Sequence, residues 1–293
     1  MSVSPSRTTA TFIGFSAILL WATLALATSA TGKVPPFLLT ALTFTIGGAV
    51  GIGAALARGV GLSVLSQPWP VWLHGVGGLF GYHFFYFSAL KLAPPAEAGL
   101  IAYLWPLLIV LLSALLPGER LRPAHIVGAL LGLAGTVVLL GAKAGGFGFD
   151  ARYLPGYAAA LLCAFLWSGY SVLARRFQGV PTEAVAGFCL ATAALSALCH
   201  VAFEPAIWPQ GRTEWLAVLG LGLGPVGIAF YTWDIGMKRG DIRLLGVASY
   251  AAPVLSTLLL VLAGYADASW PLALACLLIV GGAGVATLLG RKA

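Results

Sequence analysis

Tyr82, His83 and Tyr86 stand at positions i, i+1 and i+4 of one apolar segment, which gathers two phenols and an imidazole toward one side of a helix. Tyr103 and Trp105 come immediately before Pro106, Ser249 and Tyr250 come ahead of Pro253, and Trp167 and Tyr170 share a face at spacing i, i+3. Tyr231 and Trp233 add a further phenol and indole. Recognition is the chemistry open to such a set. Each aromatic pair contributes about 0.5–1.5 kcal/mol beyond its buried area, a ring face attracts an ammonium, and hydroxyls and imidazole serve a polar handle. A flat, apolar molecule with polar handles fits, and an aromatic amino acid meets that description. Its carboxylate would need hydroxyl, imidazole or helix N-terminal donors, because no Lys or Arg is expected deep enough to bind a permanent anion.

His83 is the one ionisable group expected near the middle of its segment, which makes it a candidate for the site. It is expected to act as a neutral hydrogen-bonding group, since no acidic partner is expected beside it. His74, His125 and His200 fall toward segment ends and read as interfacial, as do Trp69, Tyr153, Trp208 and Trp270. Glu97, Glu183 and Asp234 also lie toward ends. The cysteines Cys163, Cys189, Cys199 and Cys276 lack CxxC spacing, so neither a metal site nor a disulfide framework is indicated, and no cofactor is expected. HExxH, GxSxG and paired acid and base on one loop are absent from the sequence, which argues against an enzyme.

The elements that must carry these residues are membrane helices. Of the 293 residues, 60% are hydrophobic and 9% charged, too little charge for a soluble domain. The predicted spans are 10–31, 35–57, 70–90, 95–117, 122–142, 153–174, 182–203, 213–236, 242–263 and 269–290. Each is long enough to cross a hydrocarbon core about 30 Å thick. Continuous apolarity without alternation argues against strands. The net charge of +7 follows topology. With both termini cytoplasmic, Arg7, Arg58, Arg120, Arg122, Arg175, Arg176, Lys238, Arg239, Arg243, Arg291 and Lys292 lie inside, against Lys33, Lys91, Lys143, Arg152 and Arg212 outside. This distribution leaves no case for nucleic acid.

The chain also repeats itself. Trp21 answers Trp167, Lys33-Val34-Pro35 answers Gly179-Val180-Pro181, and Tyr103-Leu104-Trp105-Pro106 answers Tyr250-Ala251-Ala252-Pro253, at an offset of roughly 146 residues that grows to roughly 149. Two repeats, 1–146 and 147–293, thus hold five spans each, and an odd number inserts the second upside down. This inverted arrangement is typical of secondary transporters with a site between the halves. It also argues that the first span is retained and not cleaved as a signal peptide, since its partner at 153–174 would otherwise be unmatched. Gly75, Gly77, Gly78 and Gly81 in the third span answer Gly220, Gly222, Gly224 and Gly227, with Pro225 among them, in the eighth. Glycine permits close approach and proline favours a kink. Gly78, Gly81, Pro106, Gly224, Pro225 and Pro253 are therefore the expected gating positions.

These motifs resemble the drug/metabolite transporter superfamily, in its EamA-like branch. The resemblance rests on ten spans in a 5+5 repeat, the turns ending in Val-Pro after spans one and six, and the proline elements of spans four and nine. Within it, GYHFFYFSAL, IAYLWPLL and FLWSGYSVLARR look closest to bacterial exporters of aromatic amino acids. The resemblance implies a multi-pass inner-membrane carrier working by alternating access. It further implies a cavity lined by Tyr82, His83, Tyr86, Tyr103, Trp105 and Trp167, with Ser249 and Pro253 opposite. The expected partners are a small-molecule substrate and the bilayer, with a monomer as the working unit. Proton-coupled export of drugs or metabolites and, in a different class, a ligand-sensing membrane receptor stay open as alternatives.

Overall fold

The computed structural model describes residues 5–289. Within these residues ten helical segments run back and forth: α1 (Arg7–Ser29), α2 (Pro36–Ala57), α3 (Trp69–Leu92), α4 (Pro95–Ser113), α5 (Pro123–Ala144), α6 (Ala151–Phe177), α7 (Thr182–Phe203), α8 (Gly211–Arg239), α9 (Ile242–Leu262) and α10 (Trp270–Leu288). Among the described residues nine of these are long and apolar enough to cross a membrane. The tenth, α3, has 24 residues, ample length. Its four glycines, two histidines and two tyrosines dilute its apolar character, and these are the residues that set it apart in sequence. Several helices start with Pro at the first or second position, where the missing N–H costs nothing. The start of α2 is capped from the other repeat, as the Glu204 carboxylate accepts from the amides of Phe37 (2.9 Å) and Leu38 (3.1 Å).

The expected uninterrupted spans are in fact broken at matching places. In α4 the helix stops at Ala102 and resumes at Trp105, and in α9 it stops at Ala248 and resumes at Ala251. Each break lies just before a proline, Pro106 or Pro253, whose ring removes the bond to the carbonyl four residues back. In α8 a wider turn, Gly224–Ile228, takes up the distortion around Pro225. α1 is also interrupted, at Thr23, with no proline to cause it.

Packing follows the repeat. α1 packs on α8 and α3 packs on α6, which are equivalent pairs if α6–α10 repeat α1–α5. α2 packs on α7, α4 on α9 and α5 on α10, each helix meeting its own counterpart. Every one of these contacts joins one repeat to the other, so the halves interlock. Two are close enough to require glycine: a Cβ on Gly14 of α1 would lie 2.9 Å from the Cα of Gly236, and one on Gly128 of α5 2.6 Å from the Gly282 carbonyl oxygen.

Candidate functional site

Between the repeats lies a cavity of about 640 Å³, within the range of roughly 300–1,000 Å³ usual for small-molecule sites. Its walls come from the late parts of α1, α3 and α5, the early part of α2, the middles of α4, α6 and α8 and the second half of α9. All but the mid-helix contributions of α4, α6 and α8 belong to one half of the bundle, the half away from Arg7. The side that carries Arg7, Arg58, Arg120, Arg175 and Arg243 is called the basic side below, and the cavity faces the opposite one.

A cluster of four indoles underlies it, three of them forming its floor. Trp21, Trp105, Trp167 and Trp233, from α1, α4, α6 and α8, lie with ring centroids 5.0–6.4 Å apart, mostly edge to face. Trp21, Trp105 and Trp167 line the cavity, whereas Trp233 is fully buried beneath them and donates from Nε1 to Ser171 Oγ at 3.1 Å. Tyr82 stacks parallel on Tyr86 at 5.8 Å and meets Trp167 at 5.4 Å. Phe44 and Phe230 stack at 5.3 Å and complete the aromatic wall.

Several polar groups on the wall are already committed. Trp21 Nε1 donates to the Pro225 carbonyl at 3.0 Å, an acceptor exposed by the distortion of α8. Thr40 and Thr43 donate to carbonyls one turn back. His83 Nδ1 lies 2.7 Å from the Leu79 carbonyl oxygen, which only accepts, so the hydrogen sits on Nδ1. A neutral His83 therefore presents Nε2 as an acceptor. Among the described residues Lys143 is the one charged residue on the wall, and its Nζ donates to Thr257 Oγ1 at 3.0 Å.

Of the residues singled out from sequence, Tyr82, His83, Tyr86, Tyr103, Trp105, Trp167, Pro225 and Pro253 meet on this cavity. Tyr170, Ser249 and Tyr250 do not. Tyr170 is 5% exposed; its ring touches Trp167 at 5.4 Å but stacks on His74 of α3 at 4.9 Å, off the cavity wall. Tyr250 is fully buried against α5, and its hydroxyl accepts from the amide of Leu107 at 3.2 Å, a group freed by the break in α4. Ser249 is buried and donates to the Leu245 carbonyl at 2.7 Å. Pro106 is buried off the wall. Among the glycines, Gly78 seats the Tyr170 ring, while Gly81 and Gly224 have side-chain neighbours no nearer than 3.2 and 3.7 Å to a built Cβ. His125 and His200, near helix ends, are buried in protein contacts: His125 Nδ1 accepts from the Arg122 amide, and His200 pairs with Glu204 at 3.0 Å.

Sequence reasoning missed Trp21, Phe44, Phe230 and Lys143. Trp21 could have been found, since it is the repeat counterpart of Trp167. Lys143 departs from the expectation that no cation would reach the substrate space. It reads as a topological charge at a helix end, and only the fold turns it toward α9.

The basic side is closed below the indoles. Glu119, in the turn after α4, lies 3.6 Å from Arg7, 3.8 Å from Arg175 and 3.2 Å from Arg243. Asp241 adds contacts to Arg7 at 3.1 Å and to Arg243 at 3.7 Å, and Arg175 donates to the Gly240 carbonyl at 2.7 Å. Four elements are tied at one point: α1, the turn after α4, the end of α6 and the α8–α9 turn. Asp234 and Lys238 form a buried pair nearby at 2.9 Å, with Thr182 donating to the same Asp234 oxygen at 2.7 Å. Arg291 and Lys292, part of the same expected basic set, lie outside the described residues.

Comparison with known proteins places this geometry. A crystal structure 79% identical in sequence, covering 98% of this chain and 99% of its own, superposes with a TM-score of 0.95. The aromatic amino acid exporter YddG of Ancylobacter novellus is 80% identical over 98% of this chain and 100% of its own length. The exporter of the same name from Escherichia coli K12 is 28% identical over 98% of this chain and 99% of its own. The EamA-like transporter family matches twice, at residues 8–141 and 154–288, once for each repeat. With both halves matched, this multi-pass membrane protein belongs to the EamA-like transporter family.

Proposed function

We propose that this protein exports aromatic amino acids and related amphiphilic metabolites across the bacterial inner membrane by alternating access. The carrying observation is the one-sided cavity with a floor of three indoles, a stacked phenol pair above it and ion pairs sealing the far end. The names of the Ancylobacter and Escherichia relatives support the substrate class. The two repeats, 1–146 and 147–293, rock against each other, with the breaks at Pro106 and Pro253 and the distortion at Pro225 absorbing the bend. Both termini lie in the cytoplasm, so the cavity faces the periplasm and the ion-pair cluster forms the cytoplasmic seal. The protein is a carrier and not an enzyme, and a monomer encloses the whole pathway.

Transport is facilitative in this reading. No Asp or Glu among the described residues lines the cavity, so the wall offers no carboxylate to exchange a proton for a substrate. Liposomes containing only the purified chain should take up labelled tryptophan down its gradient. Uptake no faster than in empty liposomes would defeat the proposal.

A further inference from the structure

Lys143 sits in the last turn of α5, at the mouth of the cavity. A lysine at the end of a spanning helix ordinarily extends toward the headgroups. This one reaches instead to α9, where Thr257 Oγ1 accepts at 3.0 Å. Among the described residues no carboxylate lies within ion-pair distance of it. Thr257 gives its own hydrogen to the Pro253 carbonyl at 2.9 Å, so it serves Lys143 purely as an acceptor. An ammonium carries three donors. One is thus held by a wall group that aims it, and two remain for a ligand.

The rest of the cavity shows what those two donors are for. The indoles of Trp21, Trp105 and Trp167 lie mid-span, whereas Lys143 and Thr257 lie near the open end, so the space is apolar at the floor and cationic at the mouth. The hydrogens of Trp21, Thr40, Thr43 and Thr257 are spent on carbonyls, and His83 offers an acceptor. A carboxylate can only accept; the hydroxyls of Tyr82, Tyr86, Tyr103 and Ser256 also face this space as neutral donors, but among the described residues of the wall only Lys143 meets it with a positive charge and donors to spare.

We infer that Lys143 is the counter-charge for the substrate carboxylate. The substrate enters ring first, with its ring against the indoles and its carboxylate at the mouth on the Lys143 ammonium. The inference rests on the export reading above and deepens it, because it makes the carboxylate, and not the ring alone, a condition of recognition. Aromatic amines and cationic drugs, which share the ring but carry no anion, meet an uncompensated positive charge at the same place.

The test uses the full chain in proteoliposomes. Counterflow of labelled tryptophan is inhibited in turn by unlabelled tryptophan, indole-3-propionate and tryptamine, which differ in carboxylate and ammonium but share the indole. Lys143→Gln should raise the half-inhibitory concentration of the two acids about tenfold, the size of one charge-assisted hydrogen bond, and leave tryptamine unchanged or tighter. Lys143→Arg should restore the acids. Thr257→Val probes the same contact from its other side and should weaken the acids while sparing tryptamine, which keeps the question answerable if Gln at 143 impairs insertion. Equal losses for all three ligands, or no loss for tryptophan, would overturn the assignment while leaving export standing. Absence of tryptophan counterflow in the unaltered protein would overturn both.

Discussion

Glu119→Gln should unlock the sealed end. The substitution keeps the shape of the side chain and removes the one negative charge that faces three guanidinium groups, at 3.2, 3.6 and 3.8 Å. With an effective dielectric constant near 20, each contact represents about 4–5 kcal/mol of bare attraction. Most of that is cancelled by desolvation and by repulsion among the arginines. Glu119 Oε2 accepts no aligned hydrogen bond, so no directional term adds to it. Arg7 is 52% exposed, and its arm is worth at most about 0.5 kcal/mol. Arg175 and Arg243 are 17% and 13% exposed, and their arms are worth about 1 kcal/mol each, less than a fully buried pair because Asp241 and the Gly240 carbonyl remain.

The sum is about 2–3 kcal/mol, present only while the four elements are together, which shifts the ratio of sealed to unsealed protein roughly 30- to 160-fold. A cysteine at Ser171, fully buried beneath the indoles, reports the change. With the four native cysteines replaced, Ser171→Cys should resist an impermeant maleimide applied from the basic side, and Glu119→Gln should speed its labelling by at least about tenfold. Labelling within about twofold of the unaltered seal would show that the ion pairs do not hold this end closed.

Three further outcomes follow from the same geometry. Trp105→Ala, Trp167→Ala and Tyr103→Ala should each weaken tryptophan transport about tenfold through loss of ring contacts, with smaller losses for small aliphatic substrates; equal losses for all substrates would indicate misfolding. Gly81→Leu and Gly224→Leu should slow transport more than they reduce binding, because a Cβ at either site meets only the end of a leucine side chain in the present state, at 3.2 Å and 3.7 Å, and the larger resistance arises during the motion; normal transport by both would remove α3 and α8 from the moving elements. Imposing a pH gradient across proteoliposomes should not concentrate substrate, and accumulation abolished by His83→Gln would make His83 the coupling residue.

Much of this was legible in sequence because a membrane leaves few options. Long apolar runs gave the helices, and the repeat gave their pairing: Trp21 with Trp167, Pro106 with Pro253. Periodicity could place Tyr82, His83 and Tyr86 together on α3 because those three residues share one face. It could not show that Tyr170, one turn beyond Trp167 and still in ring contact with it at 5.4 Å, lies under α3 against His74 and so off the cavity, because the partner helix that covers it is set by the fold. Nor could charge counting distinguish a lysine that fixes topology from one that lines the cavity. Lys143 in LGAKA and Lys292 in LGRKA stand at equivalent repeat positions and read alike.

The unequal fates of Tyr103 and Tyr250 lead to the last prediction. They occupy the same repeat position, each just before the proline break in its helix, yet Tyr103 lines the cavity and Tyr250 is wholly buried with the Leu107 amide on its hydroxyl. An inverted repeat that alternates exchanges the conformations of its halves. When the cavity opens on the basic side, Tyr250 should therefore take the exposed role that Tyr103 has here, and Tyr103 the buried one. In the cysteine-free background, Tyr250→Cys should be inert to maleimide from either side, and adding Glu119→Gln should make it reactive from the basic side. Tyr103→Cys should change in the opposite sense, reactive from the other side at first and protected once the seal is broken. If Ser171→Cys becomes reactive in Glu119→Gln while Tyr250→Cys stays inert, the seal opens without an exchange of the repeats, and the two states are not mirror uses of one fold.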